Sequence, residues 1–337
     1  MGRSESAPDS GGFIRRQMSA IQDISGDELA LTYFEMPAKS ITANSPLKRY
    51  LGFLSAFVKQ HVFSKKTYTV LHVHFFFPTI VLAIVYKVFR NPKVKIVTTF
   101  HGNDIYYYKK FTWWYRWCFS FVDHSVFVTK KLKEHFFKQE LPHTILCAGM
   151  LPIFSNSKPK DIVKKYDFIF VGSLDKNKGA LRLKELLAAI PDSCAVAVVG
   201  AGTYEAEFKA LAKTKHIDYF HFCTAQQLVD LYHQTKWLVN LSYNESFGLV
   251  ITEALACGLP VLATETDGSS SQVLDGVNGF IVAQNEQLIS YIVTLLADTT
   301  ESAYKELSEN AQQGSEKFTL PYVAKEIKDI YTEVASK

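Results

Sequence analysis

The sequence predicts an α/β protein built from two doubly wound parallel sheets, and three observations carry that prediction. First, 337 residues exceed what one hydrophobic core usually spans, so two domains of roughly 150 residues are the expectation. Second, apolar strand-like runs in the second half alternate with stretches whose apolar residues recur three and four apart, which is a βαβ series with helices on both faces. Third, the first half repeats the theme more loosely.

Taken in order, the first half offers a helix at 13–24, strands at 29–34, 70–75, 95–99 and 125–128, and helices between them. The second half offers strands at 168–171, 195–199, 219–222, 237–241 and 260–263, separated by helices at 180–190, 204–213, 226–235 and 249–257. Residues 70–89 (VLHVHFFFPTIVLAIVYKVF) are long enough to cross a bilayer but contain His72, His74, Pro78 and Lys87. A buried strand followed by a core helix at 79–89 accounts for them, with Pro78 near the helix start, where its missing N–H costs little. The polar, basic stretch 155–165 (SNSKPKDIVKK) reads as the interdomain linker. The expected domains are therefore 1–155 and 166–312. In such sheets ligands bind beyond the carboxyl ends of the strands, and here those ends can face each other across one cleft. A doubly wound domain normally supports its first glycine turn on a preceding strand, yet only MGRSESAPDS precedes Gly11 and Gly12. The first domain is thus expected to lack its first strand, through an incomplete chain start or through loss.

Composition narrows the function. Hydrophobic residues at 47% and charged residues at 21% suit a globular protein. The five cysteines are scattered, odd in number and without a Cys-x-x-Cys pair, which argues against a disulfide framework or a zinc site. The polar N-terminus lacks the apolar core of a signal peptide. A cytoplasmic protein is expected. Residues 1–165 carry 24 Lys and Arg against 11 Asp and Glu (+13), whereas residues 166–337 carry 13 against 22 (−9), so the halves have different partners or surfaces. Within the basic half, 106–117 (YYYKKFTWWYRW) sets Lys109, Lys110 and Arg116 among Trp113, Trp114, Trp117 and four tyrosines. Aromatics interleaved with cations suit the surface of an anionic membrane; a core helix with a basic outer face fits equally. No motif accompanies the basic charge that would indicate nucleic acid.

The residues most able to carry chemistry are 245–258 (ESFGLVITEALACG). A strand leads to a loop and then to a helix starting near Gly248, so main-chain N–H groups at Phe247, Gly248 and Leu249 are free to meet phosphate or hydroxyls. Glu245 in the loop and Glu253 in the helix can each accept two hydroxyl hydrogen bonds, which suits sugars and ribose. On the two glutamates alone, a solvated helix residue and a first-turn charge favoured by the helix dipole fit as well.

The stretch 168–282 resembles the retaining GT-B glycosyltransferases of family 4 (glycosyl transferases group 1). The resemblance rests on FVGSLDKNKG (170–179), VVGAG (198–202), LVDLYHQT (228–235), the Glu-x7-Glu segment, CGLPVLAT (257–264) and DGVNGFIV (275–282). It extends more weakly through SGGFIRR (10–16), VLHVHF (70–75), TFHGND (99–104) and EKFTLPYVAKEI near the end. It implies two Rossmann-like domains, with a C-terminal helix in 313–337 packing back on the first. It also implies transfer of a sugar from a nucleotide-diphosphate sugar to an acceptor hydroxyl with retention of configuration. Carried over residue by residue, Glu253 holds the donor ribose and Glu245 the transferred sugar, while main-chain groups at Phe247, Gly248 and Leu249 meet sugar and diphosphate. Lys178, in the turn after Gly172, neutralises the diphosphate. Gly11 and Gly12 form the glycine turn, Arg15 approaches phosphate from the first helix turn, and His101 lies near the reacting sugar with Asp104 assisting it or capping the next helix. His72 and His74 are read as packing residues.

The chain departs from the family pattern in two places. Ser173 stands where an arginine commonly joins the lysine, which leaves Lys176, Arg15 or Arg16 to replace it. Asp267 and Ser269, Ser270 and Ser271 replace a glycine-rich, proline-glutamate turn. The donor nucleotide is left open by that change. No metal and no cofactor are implied beyond the donor substrate itself, and the sequence contains no Asp-x-Asp triplet. The acceptor is expected to be a glycan or a lipid-linked intermediate of cell-surface polysaccharide or glycolipid synthesis, reached by a cytoplasmic enzyme peripheral to the membrane. A non-catalytic nucleotide-sugar-binding partner protein and a nucleotide-sugar epimerase are the alternative readings.

Overall fold

The computed structural model describes residues 11–37, 45–106, 112–157 and 162–337. Its contacts divide the chain into Met1–Gly149 with Leu320–Lys337, and Met150–Thr319. Residues 150–155 belong with the second unit because Met150 N donates to Phe318 O (2.8 Å) and Phe154 is buried in the same core as Ile169 and Leu255. Of the expected linker, 158–161 lie outside the described residues.

The first unit runs through helix α1 (Gly12–Ser25), helix α2 (Pro46–Phe57), strand β1 (Val70–His74), helix α3 (Phe76–Phe89), β2 (Lys95–Phe100), helix α4 (Trp113–Phe119), β3 (His124–Phe127) and β4 (His143–Ile145). The C-terminal helix Leu320–Ser336 belongs to this unit. The four strands are parallel, in the order β1-β2-β3-β4, with β1 at one edge. Pro78 falls where α3 becomes regular, since Phe77 before it is extended (φ −109°, ψ 134°). One face of the sheet is sealed by aromatic rings. Phe76 meets Tyr115 (4.6 Å between centroids), Phe100 meets Phe127 (4.9 Å) and Phe119 meets Phe136 (4.9 Å).

The strand expected at 29–34 does not form. Residues 29–37 are irregular and join no ladder among the described residues. A side chain takes their main-chain groups instead: Gln22 Nε2 donates to Leu29 O (3.2 Å) and Gln22 Oε1 accepts from Leu31 N (3.4 Å). Apolar content made this segment look like a strand, but strand structure needs a neighbour to bond to.

The second unit follows the expected series closely: β5 (Tyr166–Val171), α5 (Ala180–Ala189), β6 (Val196–Val199), α6 (Glu205–Leu211), β7 (Ile217–Phe220), α7 (Ala225–His233), β8 (Thr235–Asn240), α8 (Leu249–Ala256), β9 (Val261–Thr264) and β10 (Gly279–Val282), then α9 (Leu288–Asp298) and α10 (Glu301–Ala311). Six parallel strands lie in the order β10-β9-β8-β5-β6-β7. Because a strand's side chains alternate, each strand feeds two cores. Ile169, Leu238 and Ala263 face the helices α7 and α8, whereas Phe168, Phe170, Val239 and Leu262 face α5 and α9. The strand order reverses between β5 and β8, the switch point beside which ligands bind in open α/β sheets.

Candidate active site

At that switch point the structure brings Lys178 and Glu245 together. Lys178 Nζ and Glu245 Oε2 form an ion pair, with the side chains 34% and 14% exposed. Two loops position it. The loop after β5 is turned by Asp175, whose Oδ1 accepts from Lys178 N (2.9 Å) and whose main-chain O accepts from Ala180 N (3.1 Å). Gly179 then passes so close to the end of β8 that a Cβ would lie 2.2 Å from Leu241 O. Only glycine lets Lys178 sit there. Asn177 stitches this loop to the one after β8: its O accepts from Tyr243 N (2.8 Å) and its Nδ2 donates to Asn244 O (3.2 Å).

A third loop, after β9, locks Glu245 from the other side. Glu245 O accepts from Gly268 N (2.8 Å). Gln272, which sequence reasoning passed over, is buried and donates through Nε2 to Phe247 O, while its Oε1 accepts from Thr252 Oγ1 on α8. Ser269 replaces the expected proline-glutamate chemistry with hydrogen bonds inside its own turn, donating to Thr264 O (2.7 Å) and accepting from Thr266 N (2.9 Å). Gln272 carried no signal beyond its place after the serines at 269–271, since an amide that holds a neighbouring loop looks like any other polar residue in sequence.

Gly248 caps α8 in the left-handed region (φ 83°), so that Phe247, Gly248 and Leu249 approach the helix start with no carbonyl acceptor for their N–H groups among the described residues. Phe247 itself is buried against Phe318, centroids 5.7 Å apart. Glu253 is half-buried on α8. Its charge is felt by two buried neighbours, Tyr232 and Cys257. Burial first and Glu253 second raise the Tyr232 hydroxyl well above its usual range, and burial chiefly lifts the Cys257 thiol to about 12. Gly172 follows β5, and Ser173 Oγ donates to Asp175 Oδ2 (2.6 Å), a bond that supports the lysine turn. Arg182 reaches over the same loops, its guanidinium 3.5 Å from the centre of the Tyr243 ring and Nη1 donating to Leu241 O (3.1 Å).

In the first unit the predicted residues gather at the carboxyl ends of β1 and β2. Gly11 stands in the left-handed region (φ 72°) at the start of α1, and Gly12 is buried after it. A Cβ on Gly11 would be 3.7 Å from its nearest neighbour, so conformation rather than crowding asks for glycine there. Arg15 pairs with Glu35 (Nη1 to Oε2, 2.9 Å). His101 is packed by Phe13 (5.2 Å) and Phe75 (4.4 Å) and shares a hydrogen bond with His74, Nε2 to Nδ1, at 3.1 Å. His74 therefore does more than pack. His72 stacks on His74 (4.3 Å) and bonds Tyr331 OH and Thr99 Oγ1, each at 2.7 Å. Burial holds His72 and His101 well below the ordinary imidazole range and His74 at about 4. Neutral rings follow, and the His74–His101 bond accommodates one proton, so the tautomer of one ring sets that of the other.

Asp104 neither touches His101's ring nor simply caps a helix. It is buried, and its carboxylate accepts from His101 N (3.1 Å), Gly102 N (2.9 Å) and Phe76 N (3.2 Å), tying the loop after β1 to the loop after β2. Burial raises it to about 6 against the pull of these N–H groups. On α4, Tyr115, Cys118 and Phe119 point inward, while Trp113, Trp114 and Trp117 are 66%, 55% and 47% exposed. Lys109 and Lys110 lie outside the described residues.

Comparison with known proteins gives two family matches, Glycosyltransferase Family 4 over residues 24–146 and Glycosyl transferases group 1 over 154–314. An uncharacterized glycosyltransferase of Methanocaldococcus jannaschii is 24% identical over 306 residues, 86% of this chain and 83% of that one. The D-inositol 3-phosphate glycosyltransferase of Streptomyces bingchenggensis is 38% identical over 113 residues, 33% of this chain and 24% of its own length. Among solved structures, sucrose-phosphate synthase from Thermosynechococcus elongatus superposes with a TM-score of 0.78 at 18% identity, covering 98% of this chain and 95% of that one. The Anabaena protein HepE in complex with UDP-glucose gives 0.66 at 20% identity, covering 86% and 84%.

Proposed function

The chain belongs to the family 4 type of glycosyltransferases with the GT-B fold, and on that premise we propose that it moves a sugar from a nucleotide-diphosphate sugar to an acceptor hydroxyl with retention of configuration. The observation that carries this reading is the Lys178–Glu245 pair set at the switch point of the second sheet, beside the start of α8. Lys178 and the N–H groups of Phe247, Gly248 and Leu249 face the charge that grows on the diphosphate as its bond to the anomeric carbon breaks. Glu245 holds hydroxyls of the transferred sugar, and Glu253 those of the ribose. The acceptor oxygen forms the new bond and its proton leaves with the diphosphate. In the first unit His101, neutral and oriented by His74, is the histidine that the family resemblance assigns to the reaction. Charge neutralisation by Lys178 lets the reaction proceed without a metal ion.

A UDP donor is favoured by the HepE likeness, whose solved complex contains UDP-glucose. A thermal-shift panel of UDP, GDP and ADP sugars tests this, since a ligand that binds only the folded state raises its melting point. Product anomers read by NMR test retention, and an inverted product sinks it. Turnover should persist in excess chelator. Strict loss that magnesium or manganese restores would contradict the metal-free step.

The three exposed tryptophans of α4, in the half that carries +13, favour a peripheral position on an anionic membrane and a lipid-linked acceptor of surface polysaccharide or glycolipid synthesis. No helix of the described residues is long and apolar enough to cross a bilayer. Co-sedimentation with vesicles containing anionic lipid should fall when Trp113, Trp114 and Trp117 are changed to serine. Equal sedimentation of wild type and variant would remove this part of the reading.

A further inference from the structure

Among the described residues one side chain other than glycine sits at positive φ: Phe75, at φ 59°. In the left-handed region a Cβ crowds the following carbonyl oxygen, and a bulky residue there is an outlier. Phe75 stands where β1 gives way to α3. Its N–H donates to Thr99 O (3.3 Å), whereas the next N–H, that of Phe76, turns out of the sheet and donates to Asp104 Oδ2 (3.2 Å). That bond holds the turn. Asp104 is buried, and its carboxylate also accepts from His101 N (3.1 Å) and Gly102 N (2.9 Å), so the segments carrying Phe75 and His101 are fastened to one group. Glycine or asparagine would take the same turn with less strain. What neither would bring is the phenyl ring.

That ring lies against the imidazole of His101, with centroids 4.4 Å apart and planes inclined at 32°. Phe13 meets the same imidazole edge-on at 5.2 Å and 65°, and meets Phe75 at 6.3 Å and 72°. His74 engages Nε2 of His101 in the 3.1 Å hydrogen bond. Two aromatic rings thus pack on the imidazole and one bond sets its rotation, which leaves Nδ1 as the nitrogen open to other partners. Strain kept in the main chain beside a reactive group is a sign of use, because the rest of the structure must hold it in place.

We propose that Phe75 is a positioning residue for the transfer: its left-handed turn lays the phenyl ring across His101 and, with Phe13 and His74, holds the imidazole in one orientation and away from water. The role presupposes that His101 takes part in the reaction. The titratable groups that face the imidazole are His74 from β1, with His72 stacked on it, and Asp104 from the loop after β2, while α1 brings Phe13. Burial already holds His101 well below the ordinary imidazole range, and Phe75 supplies part of that cover.

Phe75→Gly keeps the turn and removes the ring. In this variant of the full chain His101, followed by NMR, should titrate at least about one pH unit closer to 6.5 than in the wild type, since water reaches the ring. Turnover should fall at least about tenfold in kcat, with donor KM and circular dichroism unchanged. Phe75→Tyr, which restores a ring, should recover the wild-type titration. Phe75→Gly combined with His101→Ala should lose no more turnover than His101→Ala alone. An unchanged His101 titration in Phe75→Gly overturns the proposal, and so do losses that multiply in the double variant. Normal turnover in His101→Ala would sink only the reading of the histidine, and the titration would still decide the role of Phe75.

Discussion

The ends of the two sheets are built by opposite means. In the second unit, loops after β5, β8 and β9 are fastened to one another through main-chain atoms, with Gly179, Gly248 and Gly268 allowing the approach and Gln272 filling the seam. In the first unit, side chains do the fastening: Asp104 spans two loops and three stacked histidines follow it. The contrast teaches that a site fixed by backbone geometry has its shape set by the path of the chain. A site organised by side chains can be altered by one substitution at a time.

The largest effect expected from breaking that contrast is at the ion pair. Lys178→Ala and Glu245→Ala should each lower kcat by at least about 100-fold, the size seen when one transition-state donor is removed, with unchanged circular dichroism. Near-normal turnover in either variant removes that residue from the mechanism. Next is Gly179→Ala, where the added methyl must displace Leu241 O. A loss of about 2–3 kcal/mol in unfolding free energy and a higher donor KM are expected, read by urea titration and kinetics. Gln272→Leu should cost about 1–3 kcal/mol by leaving the Phe247 carbonyl without its donor, and should raise donor KM while sparing the histidine cluster's exchange protection.

Acidification probes the first unit in turn. His72, His74 and His101 have folded pKa values below the unfolded 6.5, so the stability they contribute is present above pH 6.5 and is lost as pH falls toward about 4. Asp104, raised from 3.8 to about 6, acts the other way, its contribution being lost as pH rises through that window. Three groups against one leave a net loss on acidification, at up to about 1.4 kcal/mol per group per pH unit. Hydrogen exchange in β1 and β2 at pH 7 and pH 5 measures it, and His74→Asn should flatten the difference. A steeper slope in that variant would contradict a histidine origin for the loss.

How much of this was legible in the sequence follows the same divide. The strands β5, β6, β8 and β9 were visible because their apolar runs sit between helical spacings, and the Lys178 and Glu245 loops because glycines and charges cluster where backbone must turn. Residues 29–34 misled because their apolar content was read without a partner strand. β4, three residues long, offers too little pattern to register. Gln272, the bond from Phe76 to Asp104 and the His74–His101 bond were hidden for another reason. Each acts on a residue 20 or more positions away or on main-chain atoms whose placement no local spacing encodes.

Gly179 has a meaning beyond this one chain. Its missing methyl group is the clearance that places a charged nitrogen, so the position records whether that placement has been kept. A related sequence with a lysine at 178 but a side chain at 179 has moved its cation, whatever else of the motif survives. Such a pair of letters tells whether a related chain can place its cation where this one does.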